Sequence, residues 1–337
     1  MNFAEMMTSI GVLAKDTFLQ ARAQGIFWVL LGITAVCVAL CLSAGVNGTA
    51  TLAAPGENPD FLPRHDAEAQ DPKRLEQSGV SVVSGELTLA FGAIRVPLAR
   101  DARTAVHTLQ FALANGVADT LGVLFALVWT AGFLPRFLDP RAISVLLAKP
   151  TPRWCLLVGK YLGVLAFVLV QASLFVVGTW LALGVRTGIW DTPYLLSIPC
   201  LLLHFAIFFG FSALLAVCFR STVVCVFGSI AFWALCWMAN YGRHSIVAEV
   251  YKDSDSVFAG GLTTLLEAAY WILPKPADLG IMLSNALDAG QHFAQPVAYS
   301  SVQAHGAFHP WLSVLASALF AVVVLFAASR QFEATDY

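Results

Sequence analysis

Apolar residues in this chain gather into long uncharged runs. Gly25–Val46, Tyr161–Val185, Thr192–Phe219, Ser221–Gly242 and Trp311–Ser329 contain no Asp, Glu, Lys or Arg. Each is long enough to cross the roughly 30 Å hydrocarbon core of a bilayer as an α-helix. A sixth run is less clean: between Arg103 and Arg136 the ionisable residues are His107 and Asp119, and Thr120–Pro135 is the most apolar part. The pattern predicts an all-α polytopic membrane protein with six transmembrane helices over 25–46, 111–135, 161–185, 192–219, 221–242 and 310–329.

Ahead of the first run, Met6, Ile10, Leu13, Ala14, Thr17, Phe18 and Ala21 recur at three- and four-residue intervals. Lys15, Asp16, Gln20 and Arg22 fall elsewhere around the same helix. Such a pattern suits an amphipathic helix over 1–24 lying in the inner membrane interface. A frayed cytosolic tail is the alternative. The apolar run that follows exceeds the 7–15 residues of a secretory signal core, so it reads as an uncleaved anchor.

Two polar segments separate the runs. In 47–110, a loop-like opening (Ala54, Pro55, Gly56, Glu57, Asn58, Pro59) gives way to alternation through Val80, Val82, Glu86, Leu87, Thr88, Leu89, Ile94 and Val96. With turn residues at Ser84-Gly85 and Gly92, this predicts a small β-meander. In 243–309, helical spacing appears at Leu262, Leu265, Leu266, Ala269 and Ile272, is ended by Pro274 and Pro276, and resumes near Leu279–Leu287. These read as short helices on the outer membrane surface. A re-entrant hairpin is disfavoured because Glu267, Lys275 and Asp278 would be costly at depth.

Composition narrows the class. Of 337 residues 58% are hydrophobic and 12% charged, against about 25% charged in soluble domains, which excludes an ordinary soluble enzyme. A net charge of −2 offers no basic surface for nucleic acid. Six spans put both termini on one side. If that side is the cytoplasm, its loops hold nine Lys/Arg against five Asp/Glu, as the positive-inside rule requires. The seven cysteines make no CxxC or Cys/His metal spacing and read as small buried hydrophobes.

The cytoplasmic loop 136–160 is the most informative stretch. Asp139 is a good N-cap and Pro140 suits the first helical position. Lys149 complements a helix C-terminus and Pro150 blocks continuation. The predicted helix, 140–148, carries Ile143, Leu146 and Leu147 on one face. That apolar ridge either lies on the membrane or docks into another protein's groove.

With the lead helix and the long outer segment, the loop FLDPRAISVLLAKPTPRWCLLVGKYLG (Phe137 to Gly163) resembles the membrane permease of type-2 ABC transporters. The likeness is to the branch containing the gliding-motility and nitrous-oxide-reductase-maturation permeases. The resemblance implies a bacterial inner-membrane protein with both termini cytoplasmic. It also implies a dimer with a second copy or a related permease, driven by two cytosolic ATPase subunits. The lead helix would be the elbow helix. Asp139, Pro140, Arg141, Ile143, Leu146, Leu147, Lys149 and Arg153 would couple to the ATPase. No GxxxxGK[ST] occurs, and Gly159-Lys160 is followed by Tyr161, so ATP and Mg are expected on the partner and no cofactor on this chain.

Within the spans, Asp119 and His204 are candidates for a polar path, since intramembrane ionisable groups are costly and often functional. A neutral histidine hydrogen-bonded between helices is the plainer reading of His204, and an interfacial, water-reaching position that of Asp119. His65, His107, His244, His292, His305 and His309 read as scattered surface histidines. Two other functions stay open. One is a mechanotransmitter acting on an extracytoplasmic partner through 47–110. The other is an intramembrane enzyme, for which Ser212 and His204 stand about 12 Å apart along one helix, too far for a hydrogen bond.

Overall fold

The computed structural model describes residues 3–23, 25–48, 85–98, 102–138, 152–252, 261–287 and 297–335. Among these, five helical segments are long and apolar enough to cross a membrane: Val106–Phe137, Arg153–Thr187, Thr192–Phe219, Thr222–Glu249 and Pro310–Ala334. A bent pair, Ile10–Ala23 with Phe27–Leu42, makes a sixth if counted as one span. We call the face carrying residues 138, 152, 220 and 335 proximal, and the opposite face distal.

Helices α1 (Phe3–Ala23) and α2 (Ile26–Leu42) meet at an angle of 70°. Gly25 sits at the bend with φ +76°, a left-handed conformation that glycine adopts without a Cβ penalty. The 17 residues of α2 span only about 26 Å. The apolar run continues to Val46, but the helix stops short of it. Arg186 Nε takes the Ala44 carbonyl at 3.0 Å, and the chain turns into strand β1 (Gly45–Gly48).

Strand β1 pairs antiparallel with β2 (Gly85–Leu89), which pairs antiparallel with β3 (Ile94–Leu98). Ser43 Oγ accepts the Ala90 amide at 2.9 Å, which ties the β2–β3 turn to the end of α2. Val80, Val82 and Ser84 of the expected meander lie outside the described residues.

The second span begins earlier than residue 111, as α3 (Ala102–Phe111), and then widens into a π-helical stretch, Ala112–Gly122. Thr120 Oγ1 donates to the Asn115 carbonyl five residues back at 3.0 Å, matching the i→i+5 spacing. Helices α4 (Val123–Thr130) and α5 (Phe133–Phe137) complete it. Next come α6 (Arg153–Thr187), α7 (Ser197–Phe219) and α8 (Thr222–Lys252). Helix α8 runs ten residues past the predicted end at 242, because Arg243 pairs with Glu267 and the buried His244 with Asp278. At the centre, α7 touches α6, α8, α12 and the π-helical stretch, with Phe205, Phe208 and Phe209 fully buried.

Helices α9 (Gly261–Ile272), α10 (Pro276–Ala286), α11 (Val297–Ala304) and α12 (Pro310–Ala334) follow. Helix α9 leaves Leu265 and Ile272 exposed and buries Tyr270, but α10 does not lie on the protein surface. Its Ala277, Asp278, Leu279, Ile281 and Leu283 are buried against α7, α8, α12 and the π-helical stretch. Charge was the reason to expect α10 outside, and internal partners remove that reason.

Candidate functional site

On the proximal face, α1 rests on the first turns of α6. Gly159 and Gly163, one turn apart, form a small-xxx-small seat of the kind that lets membrane helices approach closely. A Cβ on Gly159 would lie 2.8 Å from Leu13 Cδ1. Between the two glycines, buried Lys160 donates from Nζ to Gln20 Oε1 at 2.8 Å and lies 3.6 Å from Asp16 Oδ2. Gln20 in turn donates to Asp16 Oδ2 at 2.8 Å. The same ammonium stands 5.6 Å from the centre of the Phe137 ring, within cation–π range. Lys160 thus joins α1, α6 and the last residues before loop 139–151. On the other side of that loop, Arg153 donates to the Thr335 carbonyl at 2.6 Å and the Glu333 carbonyl at 3.4 Å. Both ends of the loop are therefore fastened to other helices.

Deep in the bundle, Asp119, His204 and Trp233 meet from the second span, α7 and α8. His204 Nδ1 is 2.8 Å from Asp119 Oδ1, and Trp233 Nε1 is 3.0 Å from His204 Nε2. An indole N–H can only donate, so Nε2 is the lone-pair nitrogen and Nδ1 carries the proton given to Asp119. These two bonds join three spans through one imidazole. Asp119 is 5% exposed. The interfacial, water-reaching position expected for it is corrected, while His204 is hydrogen-bonded between helices.

At the distal end a larger network centres on Asp278, which is wholly buried. Its Oδ1 accepts from Asn240 Nδ2 at 2.9 Å and His244 Nε2 at 2.6 Å. Its Oδ2 accepts from Tyr270 OH at 2.7 Å and Ser313 Oγ at 2.5 Å. Arg243 makes a forked pair with Glu267, at 2.9 and 3.2 Å, and also reaches the Ala307 carbonyl. Two cations stand over the Tyr270 ring, Arg243 Cζ at 4.4 Å and Lys275 Nζ at 4.7 Å from its centre. Burial works against ionisation of Asp278. The hydrogen bond and charge of His244, with the Ser313 and Tyr270 hydroxyls, outweigh it and hold the carboxyl below the ordinary aspartate range. Burial pushes the Lys275 ammonium down, partly offset by Asp278, and pushes the Tyr270 phenol up. His244 is fully buried, so its reading as a surface histidine is corrected.

The sequence matches the family model described as ABC-2 family transporter protein over residues 6–337. The chain belongs to the ABC-2 transporter family. No curated protein and no solved structure matches it. As an ABC-2 protein the chain is a multi-pass membrane component of an ABC transporter. Membership implies, in general terms, pairing with an ABC ATPase and dimerisation.

Of the residues expected to couple this ABC-2 chain to an ATPase, Asp139, Pro140, Arg141, Ile143, Leu146, Leu147 and Lys149 lie outside the described residues. Arg153 opens α6 and holds the end of α12. Asp119 and His204, 85 residues apart in sequence, are brought together. Sequence reasoning missed Trp233, which reads as one more apolar residue of a span. It also missed Lys160, although the flanking Gly159 and Gly163 are a close-packing signal. Asn240 and His244, four apart on one helix face, could have flagged the Asp278 site.

Proposed function

We propose that the chain is the permease subunit of an ATP-driven transporter in which loop 139–151 receives the movement of a separate ATPase. The fastening of both loop ends carries this reading. A displacement delivered between Leu138 and Pro152 would be passed on at both ends, to α1 through the contact of Lys160 with Phe137 and to the end of α12 through Arg153. In this reading the proximal face is cytoplasmic, with both termini, and the distal sheet is extracytoplasmic. Helix α1 is the elbow helix, and two ATPase subunits, which carry ATP and Mg, serve a permease dimer. Asp139 and Pro140 start a coupling helix whose Ile143, Leu146 and Leu147 fill an ATPase groove, with Arg141 and Lys149 flanking it. Rocking of the spans between two packings would then act through Asp119 and His204, which with Trp233 tie three spans and supply the polar contact along the path.

Co-purification tests it. The double substitution Leu146→Asp/Leu147→Asp should abolish recovery of the ATPase with the permease while leaving the permease itself in the membrane. Recovery at wild-type yield would remove the coupling assignment.

A second reading, force transmission to a partner beyond the membrane, is favoured by the stiff mounting of the sheet on α2 and α6 through Ser43 and Arg186. Excision of residues 49–98 would separate the two: substrate-stimulated ATP hydrolysis should survive in a transporter, whereas a mechanotransmitter loses its partner.

A further inference from the structure

Between the start of the second span and the turn joining α6 to α7, the distal face holds a cavity of about 320 Å³ lined by His107, Gly188, Ile189, Trp190 and Asp191. Its walls are fixed by the local fold. Gly188, at φ +74°, ends α6 with its amide on the Gly184 carbonyl at 2.9 Å. Trp190 then folds back over Gly184, where a Cβ would come within 2.5 Å of the indole. The ring also stands edge-on to Trp180, centroids 5.0 Å apart. Trp180 Nε1 donates to the Asp191 carbonyl at 2.8 Å, which pins the backbone that carries the carboxylate.

What this rigid turn presents is an aromatic face beside an under-used acid. The Asp191 side chain is 12% exposed, and its buried Oδ2 has no hydrogen-bond donor among the described residues. His107 Nδ1 lies 3.5 Å from that oxygen, an ion-pair distance that is too long for a hydrogen bond. A carboxylate oxygen without a donor in such a place costs about 1–3 kcal/mol. The chemistry that would complete the site is a small cation with N–H donors. An ammonium group can donate to the accessible part of the Asp191 carboxylate, whose side chain is 12% exposed, and so balance the charge of the donor-free Oδ2 behind it, while its own charge lies against the Trp190 ring. Anionic ligands meet the carboxylate and are repelled. A divalent metal would want more oxygen ligands than this wall supplies.

We infer that the cavity lined by Trp190, Asp191 and His107 binds a primary ammonium group. Two sources share that chemistry: the headgroup of phosphatidylethanolamine, reachable at the membrane-boundary end of the spans, and a soluble amine. The site lies apart from the loop on which ATPase coupling is proposed, so the two readings stand or fall separately.

The test is lipid and amine binding to the purified full chain, followed by native mass spectrometry in titrations with short-chain phosphatidylethanolamine, short-chain phosphatidylglycerol and ethanolamine. The expected result is that phosphatidylethanolamine binds at least several-fold better than phosphatidylglycerol. Asp191→Asn, which keeps the side chain's shape, should weaken it about tenfold, the value of one charge-assisted hydrogen bond. Trp190→Leu should weaken binding while Trp190→Phe retains most of it. If ethanolamine competes at equal concentration, the soluble amine is the ligand; if it does not, the lipid is. Equal binding of both lipids, or unchanged binding in Asp191→Asn at an unaltered melting temperature, would overturn the assignment.

Discussion

Gly163 lies directly beneath Ala14: a Cβ on the glycine would stand 2.9 Å from Ala14 Cα and 2.8 Å from Thr17 Oγ1. Backbone-to-backbone approach of this kind leaves no side chain free to yield. Gly163→Val should therefore lift α1 off α6 and lower stability by about 1–3 kcal/mol, the usual cost of overpacking. Thermal unfolding in detergent reads the loss. An unchanged melting temperature would mean that α1 does not seat there.

Lys160 predicts an asymmetry. Replacing the whole buried ammonium with an apolar chain, Lys160→Met, should be close to neutral for stability, because it removes the desolvated charge together with its bonds. Gln20→Leu leaves that charge in place without its closest acceptor and should cost about 1–3 kcal/mol. Comparing the two melting temperatures checks the order. In the assembled transporter, Lys160→Met should still reduce the ATP-dependent step, since it cuts the link between α1 and the loop.

Trp233→Phe deletes the N–H that His204 Nε2 accepts and strands a buried lone pair, at about 1–3 kcal/mol. A double-mutant cycle with Asp119→Asn should return a coupling energy of about 0.5–3 kcal/mol, the range found for residues in one network. Additive losses would show that the three side chains do not act as a unit.

Acid should weaken the distal network through Asp278. Its folded-state pKa is depressed below the ordinary 3.8, so its contribution is fully present above pH 3.8. It is lost as pH falls from there through the lower folded value. The stability gap between wild type and Asp278→Asn should stay constant from pH 5 to 7 and narrow only below about pH 4. Denaturant titrations across that range provide the check, and a gap that already closes near pH 6 would contradict it.

The spans were legible in the sequence because burying an uncharged run needs nothing but a bilayer, and every such run contains a helix. Boundaries failed wherever a polar group found a distant partner. Helix α8 runs on through Arg243 because Glu267 and the Ala307 carbonyl meet it. Helix α10 is buried because Asp278 collects donors from α8 and α12, 34 to 38 residues away in sequence, as well as from the neighbouring α9. Helix α2 ends early for the same reason, with Arg186 of another span taking the Ala44 carbonyl. The π-helical widening around Asp119 had no signal in residue pattern, and it is what brings that acid to His204.

With both oxygens of Asp278 doubly occupied, positions 240, 244, 270 and 313 cannot drift independently through evolution. A change at one of them strands a lone pair on a buried carboxylate, so neutral histories should show these four sites altering together or hardly at all.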